Sequence, residues 1–274
     1  MELLEAVDMI LARYSDLLPV SIRQCFYAAV SDGVVDKTER AYRRLVEVVG
    51  MGRRSGRIAW DAIRDDTGIC IEPPVAFADP ADFRARMRQA AQGYRRDRQE
   101  GQEQVLELWS ESAGTTAQLA RTADPFGIPV RSGGGFDSLS DKHATALRAA
   151  AQDRVLTILH LGDLDPSGVH VPLALAEDVG PFAAAHDGRT DLVRLAVTEE
   201  HVSTHHLPTA PPKPTDHRSF TPSATTQLEA IPPDVLARIV REAIEERRDM
   251  TVYQQVLEQE QEERARLLAD LDSS

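Results

Sequence analysis

The sequence has few cysteines and no long apolar run. Cys25 and Cys70 are too few for a disulfide framework or a cysteine-ligated zinc site, so we expect both to be reduced, partly buried thiols. No stretch of about 18 apolar residues could span a bilayer, which predicts a protein without membrane association. The acidic N-terminal stretch is not typical of a secretory signal or a transit peptide, and we therefore expect a cytoplasmic protein.

Glycine-rich nucleotide-binding motifs are also missing. Neither a strand-to-helix GxGxxG nor a GKS or GKT sequence occurs, so nothing predicts a nucleotide-binding fold. The glycine-rich stretch SGGGF at 132–136 could wrap a phosphate or merely turn the chain after a strand. His201, His205 and His206 have a spacing reminiscent of metal ligands. A proline-rich arm at 208–222 follows them and no cysteine accompanies them, which favours a surface or turn role.

Positive charge is scarce overall but concentrated in one segment. The net charge of -13 argues against a general polyanion binder. Residues 1–100 carry equal numbers of acidic and basic side chains, whereas residues 228–274 carry 12 acidic and 6 basic ones. Within 40–60, Glu47 is the single acid among six arginines, which would let one face of the protein meet phosphates. The arginines of this predicted DNA-binding patch are Arg40, Arg43, Arg44, Arg53, Arg54 and Arg57.

Helical spacing of apolar residues predicts three short helices at the beginning of the chain, at about 3–14, 22–30 and 37–49. A turn-rich basic segment follows them. This order favours a helix-turn-helix or winged-helix module, with a generic helical domain as the alternative. A polar helix at 83–103 is expected to act as a linker, so the first domain is predicted to span residues 1–95.

The character of the sequence changes after residue 100. Short apolar runs alternate with helical stretches, and this alternation predicts a mixed α/β fold with a mainly parallel sheet over residues 100–227. Residues 228–274 return to a helical pattern and form a predicted C-terminal helical segment, whose charged end is typical of a solvated or partner-binding helix. The apolar runs are VLELW, GIPVRS, VLTILHLGD and LVRLAV.

Acidic residues follow two of the predicted strands. Asp163 and Asp165 come directly after the apolar run 155–161, and Glu111 follows the earlier strand. In parallel sheets, ligands bind outside the carboxyl ends of the strands. If these two strands are neighbours, the three carboxylates lie close together there. Such a cluster suits Mg²⁺, or Mn²⁺ in its place, which uses a few carboxylates with waters and substrate phosphates. The alternative is that Asp-Pro-Ser-Gly only turns the chain and caps a helix.

Tyr27 and Arg23 lie four residues apart in the second predicted helix, so they share one stripe of its surface. A phenol near a guanidinium could attack a phosphodiester, because the cation positions the phosphate and favours the phenolate. The alternative is a tyrosine that simply packs.

Taken together and in this order, these segments resemble the A subunit of DNA topoisomerase VI and the related meiotic double-strand-break transesterase. They resemble still more the small stand-alone relatives of bacteria and their phages. The stretch from SIRQCFYAAV to AIRDDTG is similar to the winged-helix part of these proteins. The stretches LELWSESAG, GIPVRSGGGFDS and LHLGDLDPSGVHV are similar to a Toprim domain.

The resemblance implies a role for each candidate residue. Tyr27 would be the nucleophile that forms a 5′-phosphotyrosyl link, with Arg23 close by. It also implies a homodimer in which the tyrosine of one protomer works with the metal site of the other, and a separate ATPase or regulatory subunit. Ser112 follows Glu111 where the family typically has a lysine. The implied Mg²⁺-binding acids are Glu111, Asp163 and Asp165.

The leading hypothesis is therefore a Mg²⁺-dependent protein that cleaves double-stranded DNA by transesterification, as type II topoisomerases do. A hydrolytic Toprim metal nuclease without a tyrosine intermediate is the first alternative. A DNA-binding protein whose Toprim-like domain is only structural is the second. A phosphatase with Asp163 as its nucleophile ranks lowest, because it needs a downstream lysine near the site and the sole late lysine, Lys213, lies in the proline-rich arm.

Overall fold

The computed structural model has the mixed α/β composition that the sequence predicts. It describes residues 3–15, 18–64, 75–132, 138–212 and 220–272. Within these ranges the chain forms ten α-helices and six β-strands.

Contacts divide the chain into two compact units. The first comprises Met1–Pro74 with Ser138–Ser140, and the second comprises Val75–Asp137 with Asp141–Ser274. The division between them falls at residue 74, whereas the sequence pattern places the first boundary near residue 95. The polar helix expected to be a linker is thereby grouped with the second unit, and so is the C-terminal helical segment.

The three helices predicted for the first unit are present. Two of them begin at residues that cap their free N–H groups. Ser21 and Gln24 form a reciprocal capping box at the second helix, and the Thr38 side chain accepts from the Ala41 N–H at the third. The elements are α1 (Leu3–Arg13), β1 (Val20–Ser21), α2 (Ile22–Ser31), α3 (Glu39–Arg54) and β2 (Ile63–Arg64).

The first unit is held by an apolar core to which all three helices contribute. Ile10, Phe26 and Leu45 come from α1, α2 and α3 and are buried together. The strands β1 and β2 pair in parallel through Val20 and Ile63. A wing would require an antiparallel hairpin, and the described residues of this unit contain none. The helical part is thus confirmed, and the winged-helix assignment stays a prediction.

The second unit is built on a four-stranded sheet. The strands are ordered β4-β3-β5-β6, and every neighbouring pair is parallel, as the alternation of apolar runs predicts. Its elements are α4 (Pro80–Gln92), β3 (Gln104–Ser110), α5 (Thr116–Ala123), β4 (Val130–Ser132), α6 (Leu139–Ala150), β5 (Val155–Leu161), α7 (Pro166–Ala184), β6 (Thr190–Ala196), α8 (Glu199–His205), α9 (Pro233–Glu245) and α10 (Met250–Asp272).

Both faces of this sheet are covered, which explains why β3 and β5 read as nearly continuous apolar runs. On one face, Leu108 of β3 joins a core with Leu119 of α5 and Val240 of α9. On the other, Trp109 joins a core with Leu175 of α7. Successive side chains of a strand point to opposite faces of the sheet, so Leu106 and Leu108 of β3 face one core and Trp109 faces the other.

The strand order creates a switch point between β3 and β5. From β3 the chain moves to β4 on one side and then crosses back to β5 on the other side. In open parallel sheets, ligands bind outside the carboxyl ends of the strands where the order reverses. The loops that follow Ser110 and Leu161 therefore form the expected place for a functional site.

The charged C-terminal helix α10 lies against α4. Its Glu260 is only 2% exposed and accepts hydrogen bonds from the side chains of Arg98 and Arg264 and from the Arg96 backbone N–H. Hydrogen bonds from Arg98 lower the pKa of Glu260. None of the helices in the described ranges is long and apolar enough to cross a membrane.

We predict that Glu260→Gln lowers the free energy of unfolding of the second unit by about 2 to 3 kcal/mol, because two arginines lose their buried carboxylate. Glu262→Gln is the matched control, since that side chain is 71% exposed on the same helix. Urea unfolding followed by tryptophan emission measures both variants. Because the pKa of Glu260 is lowered on folding, its contribution is present above the ordinary glutamate pKa and is lost as pH falls through the folded value. A deficit of Glu260→Gln that stays constant into acid would contradict this account.

Candidate functional site

The predicted acids of the two central strands lie together at the switch point. Glu111 follows β3 and Asp163 follows β5, and these strands pair in register up to Ser110 and Leu161. The Glu111 backbone N–H donates to the Leu161 carbonyl oxygen at 2.9 Å, which continues the sheet by one residue. The Glu111 side chain extends to the loop after β5, where its Oε2 accepts a hydrogen bond from the Asp163 backbone N–H at 3.2 Å.

Two glycines allow the Glu111 carboxylate to lie this close to the loop backbone. A Cβ at Gly162 would be 2.5 Å from the Glu111 Cδ, and a Cβ at Gly168 would collide with the Asp163 carbonyl oxygen. Real Cβ atoms do not approach other atoms so closely. The glycines of the GDLDPSG sequence are thus needed for space, where the carboxylate and the backbone meet.

Each aspartate of the pair also binds a backbone N–H. Asp163 Oδ1 accepts from Leu228 N at 2.8 Å, and Asp165 Oδ1 accepts from Gly168 N at 2.6 Å as the N-cap of α7. The helix-capping role considered for this motif is therefore real. Burial raises the pKa of Asp163, and the negative charges of Asp165 and Glu111 raise it further, against the bond from Leu228. The charges are close enough to destabilise one another.

The described residues contain no group of three His, Cys, Asp or Glu side chains already arranged around a metal position. Three carboxylate oxygens of the cluster are bound to backbone N–H groups, as given above. Glu111 Oε1, however, is buried and has no hydrogen-bond partner among the described residues. Mg²⁺ commonly uses one or two carboxylates and keeps several waters. The donor chemistry therefore fits a hydrated divalent cation held by Glu111 and by the second oxygens of Asp163 and Asp165.

Three further residues of this site, Glu229, Arg194 and His160, belong to no sequence motif. Glu229 lies near Asp163 and adds to its raised pKa, and Glu229 Oε1 accepts from the Ser112 hydroxyl. It is 117 residues away from Ser112 in sequence, so no local pattern could have identified it. Arg194 and His160 carry a weaker signal, since each is a polar residue inside an apolar strand.

Arg194 of β6 holds the loop that carries the acids. Its Nη2 donates to the carbonyl oxygens of Asp163 at 2.6 Å and Gly162 at 3.2 Å, and its Nη1 donates to the Gly168 carbonyl oxygen. The guanidinium thus fixes the backbone from which both aspartates project. Its positive charge also interacts favourably with the carboxylates of Glu111, Asp163 and Asp165.

His160 lies beneath Glu111 and is fully buried. Its Nε2 is 3.4 Å from Glu111 Oε1, and the pair does not meet hydrogen-bond geometry. Neither ring nitrogen of His160 has a hydrogen-bond partner among the described residues. Leaving a buried donor unsatisfied costs about 1 to 3 kcal/mol, so a small movement that closes this contact is favourable.

Tyr27 lies in the first unit, on α2, and is 51% exposed. It lines a groove of about 690 Å³ together with Tyr14 and Gln24. Its ring centroid is 5.6 Å from the Lys37 Nζ atom. The Arg23 guanidinium lies over the Tyr42 ring at 6.0 Å. Lys37 is thus a cation beside the Tyr27 ring, and Arg13 lines the same groove.

The predicted arginine patch needs one correction, at Arg53. This side chain is only 2% exposed, and its guanidinium donates to the backbone carbonyl oxygens of Trp60 and Ile63. Arg53 therefore holds the turn after α3 and cannot contact DNA. Arg57 is exposed and forms an ion pair with Asp8 at 2.7 Å. The other exposed arginines of the patch are Arg40, Arg43, Arg44 and Arg54.

The histidine group of α8 has a structural role. His201 and Thr198 form a capping box at the start of this helix, and the His201 and His205 rings stack at 6.4 Å. His206 ends the helix in a left-handed conformation. The glycine-rich stretch at 132–136 lies outside the described residues except for Ser132.

Comparisons with protein-family models, curated proteins and solved structures find no match for this chain. The fold and the arrangement of the acids therefore carry the functional argument.

We predict that Gly162→Ala weakens Mn²⁺ binding by about tenfold or more, because the added Cβ displaces the Glu111 carboxylate. Gly180→Ala, in α7, is the control, since the Thr190 Oγ1 atom of β6 would lie 4.0 Å from the added Cβ, an ordinary van der Waals contact. Titration of Mn²⁺ followed by electron paramagnetic resonance measures the affinity, and far-UV circular dichroism checks the fold. Equal Mn²⁺ affinity in the two variants would show that the position of Glu111 does not matter.

We also predict that His160→Leu weakens Mn²⁺ binding by about tenfold, whereas His160→Gln retains most of it. The amide of glutamine can place an N–H near the position of Nε2 and hold Glu111, and leucine cannot. The same resonance titration distinguishes the two variants. If both variants lose the same affinity while remaining folded, the imidazole contributes packing alone.

Proposed function

We propose that this chain is a Mg²⁺-dependent DNA-cleaving protein that acts by transesterification, with Tyr27 as nucleophile. The observation that carries the proposal is the meeting of Glu111 with Asp163 and Asp165 at the switch point of a parallel sheet, with Glu229 beside them. Arg194 supplies one positive charge against four carboxylates, so a divalent cation would remove much of the remaining repulsion. The resemblance to the topoisomerase VI A subunit supplies the substrate class.

The acids and the tyrosine would have separate tasks. Glu111, Asp163 and Asp165 would hold Mg²⁺, which stabilises negative charge on the phosphate and the leaving oxygen when bound. Tyr27 is exposed enough to reach a phosphate of a polymer. Its Oη forms a bond to phosphorus while the bond from phosphorus to the 3′ oxygen breaks. The phenol proton passes to water and the 3′ oxygen takes a proton from water, which leaves a 5′-phosphotyrosyl link.

DNA binding is supported by the surface of the first unit. The exposed arginines of α3 and the following turn can neutralise phosphates, and this sequence-independent attraction dominates nucleic-acid affinity. Lys37 lies beside Tyr27 and would help to hold the attacked phosphate. The negative charge of the remaining surface would restrict contact with DNA to this face.

The proposal includes an assembly. Tyr27 belongs to the first unit and the acids belong to the second. The resemblance implies a homodimer in which the tyrosine of one protomer acts with the acids of its partner, and it implies a separate ATPase or regulatory subunit. A cytoplasmic protein of bacterial or phage origin fits this assignment.

One observation favours a hydrolytic nuclease as the second candidate. The guanidinium of Arg23, which the resemblance places near the nucleophile, is in contact with the Tyr42 ring. In a hydrolytic reaction, a water held by the metal site would replace the tyrosine, and the acids alone would be needed.

The experiment incubates supercoiled DNA with the protein and Mg²⁺ or Mn²⁺, stops the reaction with detergent, and compares samples with and without protease. We expect nicked or linear DNA that enters the gel only after protease treatment, because the DNA ends are attached to the protein. Tyr27→Phe should abolish the product, whereas Tyr14→Phe, in the same groove, should retain it. Asp163→Asn should lose at least about a hundredfold in rate, because the metal loses a charged ligand.

Each other outcome has a definite meaning. Cleavage that persists in Tyr27→Phe and disappears in Asp163→Asn would establish the hydrolytic nuclease. DNA binding without any metal-dependent product, in the homodimer and with either metal, would support the DNA-binding protein whose Toprim-like domain is only structural.

A further inference from the structure

A polar cavity of the second unit lies at the β4 edge of the sheet. It has a volume of about 270 Å³, and Arg131 of β4 and Arg148 of α6 both line it, with Trp109 of β3 alongside. Neither arginine takes part in the acidic site described above. Both guanidinium groups donate hydrogen bonds to Glu107. Glu107 lies two residues before Trp109, on the same face of β3.

Glu107 is only 4% exposed, and it fixes both arginines. Its Oε1 accepts from Arg148 Nε at 2.8 Å, and its Oε2 accepts from Arg148 Nη2 at 3.0 Å, from Trp109 Nε1 at 2.9 Å and from Arg131 Nε at 2.9 Å. Burial alone would raise the pKa of Glu107, but the bonds from Arg148, Trp109 and Arg131 outweigh it and lower the pKa. The carboxylate therefore stays charged.

The charge of the buried Glu107 carboxylate is balanced without Arg131. Arg148 binds both oxygens of Glu107 through a forked pair of bonds, and Trp109 adds a third bond. One guanidinium already balances the charge. Within the described part of the chain, Arg131 gives Glu107 only its Nε, and its side chain remains 40% exposed. The bond from Nε thus orients the guanidinium of a side chain that remains partly exposed.

Such an arrangement is suited to an oxyanion. Guanidinium groups present parallel N–H donors that match the oxygens of a phosphate, and orientation by a buried partner reduces the entropy lost on binding. The cavity is also lined by Asp141, so the ligand must satisfy the arginines without placing a second charge against that carboxylate. A phosphodiester, with its single negative charge, meets this condition better than a phosphate monoester.

The register of the sheet places this cavity beside the acidic site. Arg131 is paired with Trp109, and Trp109 is paired with His160, which lies beneath Glu111. Neighbouring strands are about 4.8 Å apart, so Arg131 lies two strands, or about 10 Å, from His160. A polynucleotide crossing the carboxyl edge of the sheet would bring successive phosphates to both places.

We propose that the cavity between Arg131 and Arg148 binds a backbone phosphate of DNA and positions the strand across the acidic site. The identity of the polymer rests on the proposed function, whereas the anion-binding chemistry of the cavity does not.

The test uses Trp109 as a reporter, because its indole N–H shares the Glu107 carboxylate with both arginines. In the Trp60→Phe background, Trp109 is the single tryptophan. Titration with a single-stranded oligonucleotide without metal should change its emission in a saturable manner. Arg131→Gln should weaken this binding by about tenfold, which is the loss of one charge-assisted hydrogen bond. It should also reduce the slope of log affinity against log salt by about 0.7, the value for one phosphate contact.

Arg238→Gln is the matched control, since it removes the same charge from an exposed position of α9. Arg131→Gln leaves Arg148 on Glu107, so the variant should stay folded, and unchanged far-UV circular dichroism checks this. Equal affinity and salt slope in Arg131→Gln and Arg238→Gln would overturn the proposal. Inorganic phosphate that saturates the emission change, with no change in the oligonucleotide salt slope, would also overturn it in favour of a site for a small phosphate.

The cavity and the proposed reaction can fail separately. Loss of binding in Arg131→Gln, in a protein that forms no covalent or cleaved product with Mg²⁺, would support the phosphate site and reject the DNA-cleaving function. A protein that cleaves DNA at the same rate and with the same salt dependence in Arg131→Gln would reject the phosphate site and leave the reaction intact.

Discussion

The in-register pairing of β3 with β5 is the constraint on which the candidate site depends. It runs from Gln104 and Val155 to Ser110 and Leu161, so the two strands end at the same level. The loops that follow must then share a small space, and Glu111 can lie over the next backbone only because Gly162 has no side chain. A slip of one residue would send every side chain of β3 to the opposite face and would separate Glu111 from Asp163.

Keeping the acids in this space has an electrostatic cost, which the protein reduces without removing. Backbone N–H groups bind one oxygen each of Glu111, Asp163 and Asp165, and Arg194 places its positive charge on the carbonyl oxygens of the same loop. The pKa of Asp163 nevertheless remains raised, with the negative neighbours among its causes. Partial compensation of this kind holds the acids in place while part of their mutual repulsion remains.

The sequence predicts those features that depend on local pattern. Runs dominated by apolar residues identify β3 and β5, and the acids that follow them could be expected to meet because parallel strands end at one edge. Arg53 could not be assigned correctly in this way, because its burial depends on the chain after α3 folding back until the Ile63 carbonyl oxygen reaches it. Glu229 has no local sequence signal, because it approaches Ser112 from a distant part of the chain. Arg23 and Tyr27 lie on one helix at the predicted spacing, but the spacing alone does not predict the contact of the Arg23 guanidinium with the Tyr42 ring.

A comparison within β3 separates structure from function. Glu107 and Glu111 are four residues apart, which puts them on the same side of the strand. Glu107 is fully compensated, with two arginines and an indole bound to its oxygens, and its pKa is lowered. Glu111 is held by one backbone N–H, and its Oε1 lies against a buried imidazole without forming a hydrogen bond. Side-chain donors next to β3 neutralise Glu107 fully, whereas no side-chain donor among the described residues forms a hydrogen bond to Glu111. Glu111 therefore keeps a carboxylate oxygen that the divalent cation of the proposed function would bind.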